Sequence, residues 1–320
     1  MSKQISDLHI PVSLDRALEV LGESLNKEDA VLVDCTLGLG GHTEAFLTRF
    51  PKLRVVAIDR DPQAIALAGE RLKPFAGRVD FVNTTYDNID EAIEDLGIEK
   101  VDAILLDLGV SSMQLDERER GFAYSYEAPL DMRMDASKGK TAAEVVNKYS
   151  EDELSRIFFE YGEERYSKAI AKAIVSARAQ KPFETSTELA ALIAKVVPFI
   201  PGKSSGHPAK RVFQALRIEV NEELDVLRAT MPRAIHALAT DGRILVMSYH
   251  SLEDRIVKQA LVAASTSSAP VDLPIELPEH APQLRLITKG AEPASQQEIE
   301  RNPRSASVKI RAAVKIRQAA

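Results

Sequence analysis

Cysteine is almost absent from this sequence, since Cys35 is the only one among 320 residues. A single cysteine cannot form an internal disulfide or a cysteine-rich metal site, and it favours a reducing compartment. No run of about 18 uncharged apolar residues occurs, and the N-terminal residues lack the apolar core of a signal peptide. We therefore expect a cytoplasmic protein with no membrane-spanning segment and no bound metal.

Glycine and proline are too few, at 15 and 16 residues, for a collagen-like or low-complexity chain. Hydrophobic residues make up 45% of the sequence and charged residues 28%, which is typical of a globular protein. At roughly 100 to 200 residues per domain, the length allows one large domain or two medium ones.

Basic charge is in deficit overall, with a net charge of −7, but it is unevenly distributed. Residues 165–217 contain ten Lys or Arg and two Glu, a balance of +8, and residues 301–320 contain six basic residues and no acidic one. Clustered positive charge of this kind is typical of nucleic-acid binding, although solvated helix faces would give the same pattern.

Short β-branched runs at 30–35, 54–59, 78–82 and 101–107 alternate with helix-length segments at 41–50, 62–73 and 87–97. This βα alternation predicts a doubly wound parallel sheet whose ligand site lies at the carboxyl ends of the strands. The next such strand, 243–248, follows a helix over 221–239 and a turn at Asp241-Gly242. The stretch between the strand that ends at 107 and this one is far longer than a crossover needs, so we predict an inserted domain there. Its expected helices are 151–159, 165–180 and 187–197. Two final strands, 284–288 and 306–311, are expected to pair antiparallel at the sheet edge.

A glycine-rich segment, Asp34 to His42, lies where the first strand turns into the first helix. Such a turn lets the backbone approach a ligand, and Asp59, at the end of the second strand, is placed to accept both hydroxyls of a ribose. The pattern therefore indicates an adenosine-bearing cofactor. The dinucleotide-binding fingerprint G-x-G-x-x-G would require a glycine at the position of Thr43. An acid on the first strand followed by glycines four and six residues later, as in Asp34, Gly38 and Gly40, is instead the arrangement of S-adenosylmethionine-dependent methyltransferases.

The chain also resembles a known family, the bacterial 16S ribosomal RNA cytosine-N4 methyltransferases of the RsmH or MraW group. The motifs that carry this resemblance run in order through nearly the whole chain: residues 9–12, 34–42, 57–62, 105–112, 119–122, 129–135, 161–165, 207–209, 213–217 and 250–255.

The resemblance implies a class I S-adenosylmethionine methyltransferase fold, with a Rossmann-like doubly wound sheet over residues 1–112 and 211–320 and an inserted helical substrate-recognition domain over 113–210. It implies N4-methylation of one cytidine in the decoding centre of 16S rRNA within the small ribosomal subunit. By position, the cofactor contacts implied are Gly40, Gly41, His42, Asp59, Tyr86, Asp107 and Gln114. Tyr86 departs from the Phe that relatives often carry, but a tyrosine ring can still stack on adenine.

Methyl transfer to an amine is an in-line displacement that depends mainly on positioning. Cytosine C5 chemistry would need a cysteine nucleophile, and Cys35 lies under the cofactor loop, so that chemistry is disfavoured. We predict Asp131 and His250 as catalytic residues, with Asp131 accepting a hydrogen bond from the cytosine amine. The alternatives are a loop cap for Asp131 and a structural hydrogen-bonding role for His250.

Three aromatic residues, Phe122, Tyr124 and Tyr126, are candidates for stacking on an extruded base, although such a cluster is more often local core. The residues that we predict to contact RNA are Lys168, Lys172, Lys210, Arg211 and Arg255. Two other functions remain open from the residues alone: an NAD(P)-dependent oxidoreductase, and an RNA-binding assembly factor that does no chemistry.

Overall fold

The β-branched segments of the first hundred residues lie side by side in one parallel sheet. The computed structural model describes residues 11–198, 207–270 and 277–318. They divide into two units, one formed by the residues up to Gly109 together with those from Leu224 onward, and the other by Val110–Glu223.

The sheet of the first unit has the strand order β3-β2-β1-β4-β5-β7-β6. The strands are β1 Val31–Asp34, β2 Arg54–Asp59, β3 Val79–Asn83, β4 Val101–Asp107, β5 Leu238–Ser248, β6 Leu284–Leu286 and β7 Lys309–Lys315. Strands β1 to β5 pair in parallel, whereas β7 is antiparallel to β5 and β6 is antiparallel to β7. The predicted doubly wound sheet with a C-terminal edge hairpin is thereby confirmed.

Two hydrophobic cores flank this sheet, and neighbouring residues of one strand belong to opposite cores. Leu32 and Leu105 lie in one core, while Val33 and Ile104 lie in the other, and all four are fully buried. Burial of a parallel strand on both faces explains why these strands read as continuous apolar runs in the sequence.

Helices cover both faces of the sheet. They are α1 Leu14–Leu25, α2 Gly41–Arg49, α3 Pro62–Arg71, α4 Ile89–Glu94, α11 Glu223–Ala237, α12 Ser251–Ala264 and α13 Gln296–Arg301. Helix α3 begins as its sequence indicates, because the Asp61 side chain accepts a hydrogen bond from the Gln63 N–H and proline occupies the first helical position. Helix α1 was not predicted, since its N-cap Ser13 makes no side-chain capping bond.

Strand β5 corrects one prediction, because Asp241 and Gly242 do not separate a helix from a strand but lie within β5. The chain kinks there: Asp241 has a φ of 66°, and the pairing with β4 shifts register between Val101 and Ala103. A Cβ on Gly242 would lie 2.8 Å from the Ala239 carbonyl oxygen, so the kink needs glycine at that position.

The second strand of the edge hairpin begins at Lys309, three residues later than predicted. Residues Pro303–Ser307 form a 3₁₀ helix instead, and the Asn302 side chain caps it by accepting a hydrogen bond from the Arg304 N–H. Local side-chain capping therefore holds this segment out of the sheet.

The second unit is helical. Its helices are α5 Ser112–Asp116, α6 Ala142–Lys148, α7 Glu151–Glu160, α8 Ser167–Arg178, α9 Ser186–Val196 and α10 Ala209–Asn221. Four of them begin with a capping box, formed by Ser111, Thr141, Ser150 and Thr185 with a Gln or Glu three residues later. The predicted limits of the insertion, 113 and 210, differ from the observed ones, because residue 210 lies inside α10 and Glu222, at a φ of 53°, separates α10 from α11.

Candidate functional site

The loop after β1 is organised by Asp34, which is 1% exposed. Its carboxylate accepts hydrogen bonds from the Thr36 N–H at 3.2 Å and the Thr43 hydroxyl at 2.7 Å, and burial raises its pKa. Gly38 and Gly40 adopt positive φ values of 51° and 75°, and Gly40 is the N-cap of α2. These bonds give the loop a fixed shape that only glycine adopts without strain.

Gly41 and His42 are held by contacts with the segment that precedes α1. A Cβ on Gly41 would lie 2.7 Å from Pro11 Cγ, so glycine is needed for close packing at this position. The His42 Nε2 lies 2.9 Å from the Val12 carbonyl oxygen, the ring is 7% exposed, and burial lowers its pKa.

Asp59, at the end of β2, binds the glycine loop directly. Its Oδ2 accepts a hydrogen bond from the Gly38 N–H and its Oδ1 accepts one from the Asp61 N–H, both at 2.8 Å. Burial raises the pKa of Asp59 to about 6. Each oxygen has a second lone pair, so the carboxylate can still accept two hydroxyl donors from a ribose.

Asp107, at the end of β4, is the third acid at this edge of the sheet, after Asp34 and Asp59. Its backbone N–H donates to the Thr36 hydroxyl at 2.7 Å, and its Oδ1 accepts a hydrogen bond from the Tyr249 hydroxyl at 2.5 Å. His42 Nδ1 lies 3.9 Å from Asp107 Oδ2. Burial raises the pKa of Asp107 to about 7, although the Tyr249 hydrogen bond opposes that rise. The sequence did not predict this contact between Tyr249 and Asp107, which are 142 positions apart.

The two remaining predicted cofactor residues lie in different units. Tyr86 begins the 3₁₀ turn Tyr86–Asn88 that follows β3, and its half-buried ring packs against one of the two cores of the sheet. Gln114 belongs to the second unit, is 5% exposed, and accepts a hydrogen bond from the Ser111 N–H at 3.0 Å through its side-chain oxygen.

The carboxyl ends of β1, β2 and β4 thus carry a glycine loop, three carboxylates (Asp34, Asp59 and Asp107) and nearby aromatic rings. Asp59 and Asp107 are hydrogen-bond acceptors, which suit ribose hydroxyls and an amine. The chemistry of this set fits an adenosine-bearing ligand that also carries an amino group. Within residues 11–198, 207–270 and 277–318, no group of His, Cys, Asp or Glu side chains could hold a metal ion.

His250 is the N-cap of α12. Its Nδ1 accepts a hydrogen bond from the Glu253 N–H at 3.4 Å, and Glu253 Oε2 accepts hydrogen bonds from the N–H groups of His250 and Tyr249 at 3.2 and 2.7 Å. The imidazole therefore has a structural role, as the alternative expected, and its predicted catalytic role stays a prediction.

Asp131 lies in a loop of the second unit and forms a two-pronged ion pair. Its Oδ1 accepts hydrogen bonds from Arg133 Nε at 2.8 Å and from the Arg133 N–H at 3.0 Å, and its Oδ2 accepts one from Arg133 Nη2 at 2.7 Å. The loop-cap alternative is thus present in the structure. All three hydrogen bonds come from Arg133, which the sequence did not single out.

The three aromatic candidates are occupied by local contacts. Phe122 is 8% exposed in the core of the second unit, and Tyr124 stacks on His207 with ring centres 4.8 Å apart. The Tyr126 hydroxyl donates to the Leu115 carbonyl at 2.8 Å, while Arg118 lies over its ring. These contacts match the local-core alternative.

The structure brings several basic residues of the 165–217 window onto the second unit's surface. Arg211 donates to the Glu163 carbonyl at 3.0 Å and Gln214 donates to the Tyr161 carbonyl at 2.9 Å, which holds the start of α10 beside the turn between α7 and α8. We define the basic cluster as four exposed residues: Lys168, Lys172, Lys210 and Arg211.

The three lysines of the basic cluster have no ion pair within the described part of the chain, so their charge is available. Other basic residues of the window are occupied: Lys181 pairs with Glu188 at 2.5 Å and Arg217 with Glu223 at 2.8 Å. Arg255 is exposed on α12 in the other unit. Lys203 lies outside the described residues, as do the first two residues of the 9–12 motif.

Comparison with known proteins places this chain among methyltransferases. The model of the MraW methylase family matches residues 6–316. The chain is 56% identical over 320 residues to the "Ribosomal RNA small subunit methyltransferase H" of Pseudarthrobacter chlorophenolicus, and the match covers 98% of this chain and 97% of that protein. It is 57% identical over 314 residues to the protein of the same name from Nocardia farcinica, and that match covers 97% of each chain. Among solved structures, an rRNA methylase from Streptococcus thermophilus is 11% identical, with a TM-score of 0.44 over 97% of this chain and 99% of that one.

Proposed function

Because the chain belongs to the MraW methylase family, we propose that it methylates the N4 amine of one cytidine in the decoding centre of 16S ribosomal RNA. The chain is a methyltransferase, and its methyl donor is S-adenosylmethionine. The observation that carries the substrate assignment is identity of 56% or more, along nearly the full length, to proteins named as ribosomal RNA small subunit methyltransferases.

S-adenosylmethionine supplies an electrophilic methyl group on a sulfonium. The chain's part is to bind and orient it. The Asp59 carboxylate accepts from the ribose hydroxyls while it holds the glycine loop through Gly38. Asp107, oriented by Tyr249 and Thr36, accepts from an amine of the cofactor. Because positioning supplies most of the acceleration in such a displacement, these fixed acceptors are the main catalytic contribution of the first unit.

The cysteine environment supports an amine acceptor over a carbon acceptor. Methylation at cytosine C5 requires a thiolate that adds to C6, but Cys35 is 1% exposed and burial raises the pKa of its thiol well above the usual value. A buried, protonated thiol is a poor nucleophile. An exocyclic amine needs no covalent intermediate, only an acceptor for its proton.

The second unit supplies RNA contacts in this proposal, through the basic cluster and Asp131. The partner is the small ribosomal subunit, and the reaction takes place in the cytoplasm. The described residues contain no helix that is long and apolar enough to cross a membrane.

Tritiated S-adenosylmethionine and methyl-deficient small subunits test the proposal. We expect transfer to one site, recovered as N4-methylcytidine after nucleoside analysis, and little transfer by Asp59→Ala enzyme. Label on cytosine C5, on another base or on protein would refute the substrate assignment. RNA binding without any transfer would instead favour a non-catalytic assembly factor.

A further inference from the structure

Residues 130–134 form a loop in which buried side chains alternate with partly exposed ones. Leu130, Met132 and Met134 are 2%, 0% and 7% exposed and belong to the core of the second unit. Asp131 and Arg133 lie between them, with side chains 23% and 21% exposed. The alternation places the carboxylate and the guanidinium on one side of the loop, where they form their ion pair.

The backbone of this loop is fixed by two buried side chains. Asn221, 2% exposed, accepts a hydrogen bond from the Met134 N–H and donates one to the Met132 carbonyl, both at 2.8 Å. Arg120, 9% exposed, donates to the carbonyls of Arg133 and Met134 at 3.1 and 2.7 Å. These bonds satisfy polar groups that would otherwise be buried without partners.

Met132 is held in a strained conformation by the same contacts. Its φ of 62° lies in the left-handed region, which is unusual for a buried residue with a long side chain. Strain of this kind persists only where surrounding contacts enforce it, and it concentrates at functional sites. Met132 stands between Asp131 and Arg133, so the same contacts fix the part of the loop that carries their ion pair.

The ion pair leaves one acceptor and several donors unused. Asp131 Oδ1 accepts two hydrogen bonds, whereas Oδ2 accepts only one, from Arg133 Nη2 at 2.7 Å. Arg133 has five N–H groups in its side chain and uses two of them on Asp131. Within the described residues, Nη1 of Arg133 makes no hydrogen bond. A free lone pair therefore lies beside free N–H groups.

The charge around this pair favours a neutral ligand over a phosphate. The Asp131 carboxylate balances the guanidinium charge. Its hydrogen bonds to Arg133 are the main reason that the pKa of the guanidinium is raised, and the charges of Glu144 and Asp135 contribute less. Asp135 and Glu144 are themselves paired with Lys138 at 3.1 Å and with Lys148 at 2.6 Å, so this part of the loop offers no excess positive charge to an anionic phosphate. The basic cluster, whose lysines are unpaired within the described residues, is better suited to phosphates.

A cytosine presents a matching edge, since its amine donates while the neighbouring N3 accepts. Uracil presents the reverse, with a carbonyl oxygen and an N3–H, so it would place acceptor against acceptor and donor against donor. We propose that the Asp131–Arg133 pair reads the target base, with Asp131 Oδ2 accepting from the N4 amine and Arg133 donating to N3. This inference rests on the proposed function and makes Arg133 a specificity residue of the same reaction.

A cycle of enzyme variant and base analogue tests the contact with N3. Small subunits are reconstituted with cytidine or 3-deazacytidine at the target; the analogue keeps the amine but lacks the N3 acceptor. Single-turnover transfer at saturating S-adenosylmethionine is measured for wild type, Arg133→Lys and Arg133→Gln. Arg156→Lys serves as the control, because Arg156 is also a carboxylate-paired arginine of the second unit.

On the analogue, we expect the transfer rates of wild type and Arg156→Lys to fall by about tenfold to a hundredfold. On cytidine, we expect both Arg133 variants to be as slow as wild type is on the analogue. The Arg133 variants should then lose little more on the analogue. The analogue's intrinsic reactivity cancels when the loss of each variant on the analogue is compared with the loss of wild type, because the same substrate change enters both losses. Calorimetric S-adenosylmethionine affinity and melting temperature should stay near wild type in at least one Arg133 variant.

Equal losses on the analogue for wild type and both Arg133 variants would overturn the proposed contact, as would cytidine rates equal to that of Arg156→Lys. Failure of the proposed function is distinguishable, because wild-type enzyme would then form no N4-methylcytidine on unmodified subunits.

Discussion

Replacing Tyr249 by phenylalanine removes the hydroxyl that donates to Asp107 at 2.5 Å and keeps the ring. That hydrogen bond stabilises the ionised carboxylate, against burial and against the charges of Glu253 and Glu298, all of which raise the pKa of Asp107. A hydrogen bond to a charged group contributes about 1.5 to 3 kcal/mol, which corresponds to roughly one to two pKa units. In Tyr249→Phe we therefore expect the pKa of Asp107 to rise from about 7 to about 8 or 9.

The consequence for the cofactor follows from the fraction of ionised Asp107. If the cofactor's amine binds the carboxylate, the apparent dissociation constant is divided by that fraction, so at pH 7.5 the variant should bind about three- to twenty-five-fold more weakly than wild type. The difference should narrow as the pH rises to 8.5, because both proteins become ionised. At pH 6.5 both proteins should bind more weakly than at pH 7.5, and the difference between them should widen to about eight- to seventy-five-fold.

Ligand-free stability should show the opposite trend with pH. The folded-state pKa of Asp107 lies above its unfolded value, so the folded protein holds the proton more tightly and this group's contribution to stability is lost as the pH rises towards 7. Asp107→Asn should flatten that fall in the melting temperature. It should also remove most of the pH dependence of cofactor binding between pH 6.5 and 8.5, so that the remaining dependence, at lower pH, is that of Asp59, whose pKa is about 6.

Calorimetric titration with S-adenosylhomocysteine between pH 6.5 and 8.5 measures the binding effect. His42, Glu253, Glu298 and Asp34 are unchanged in the variant, so they do not account for a shifted midpoint. Tyr166→Phe, at an exposed tyrosine of the second unit, is the matched control and should follow the wild-type curve. A Tyr249→Phe curve that superimposes on the wild-type curve would refute the reasoning.

The cofactor end of the molecule could be predicted because its residues follow hydrophobic strands. Asp59 and Asp107 end β2 and β4, and the apolar runs before them fix where those strands stop. Parallel strands bring their carboxyl ends together, so the acids converge whatever the details of packing. The glycine loop follows from the same strand ends.

Other contacts, in each of the two units, join residues that no local sequence pattern brings together. Tyr249 reaches Asp107 across 142 positions, and Asn221 fixes Met132 across 89. Arg133 was missed for a different reason. Its partner is only two residues away, but the loop between them contains the left-handed Met132, and the sequence of a loop does not reveal such a conformation. Such contacts are visible only once the chain is folded.

Three further changes test the remaining assignments. Asp59→Ala should weaken S-adenosylmethionine binding by about 1.5 to 3 kcal/mol, and unchanged affinity in a folded variant would remove Asp59 from the site. Charge reversal at the three lysines of the basic cluster should weaken RNA binding and leave cofactor affinity unchanged. The slope of log affinity against log salt concentration should become shallower by about 0.7 to 0.9 for each phosphate that the variant no longer neutralises. A slope equal to that of wild type would mean that the three lysines form only a solvated surface. Gly121→Ala should destabilise the second unit, because Gly121 has a φ of 73° and its added Cβ would lie 2.0 Å from the Pro129 carbonyl oxygen, next to the Asp131 loop. The matched control is Gly139→Ala, at a φ of 81° with no atom within 4 Å of the added Cβ, which isolates the conformational cost of about 1 to 2 kcal/mol. Denaturant unfolding should show a clearly larger loss of stability for Gly121→Ala than for Gly139→Ala, because the Pro129 carbonyl must also move. Equal losses in the two variants would mean that the close approach of Gly121 to Pro129 does not constrain the loop.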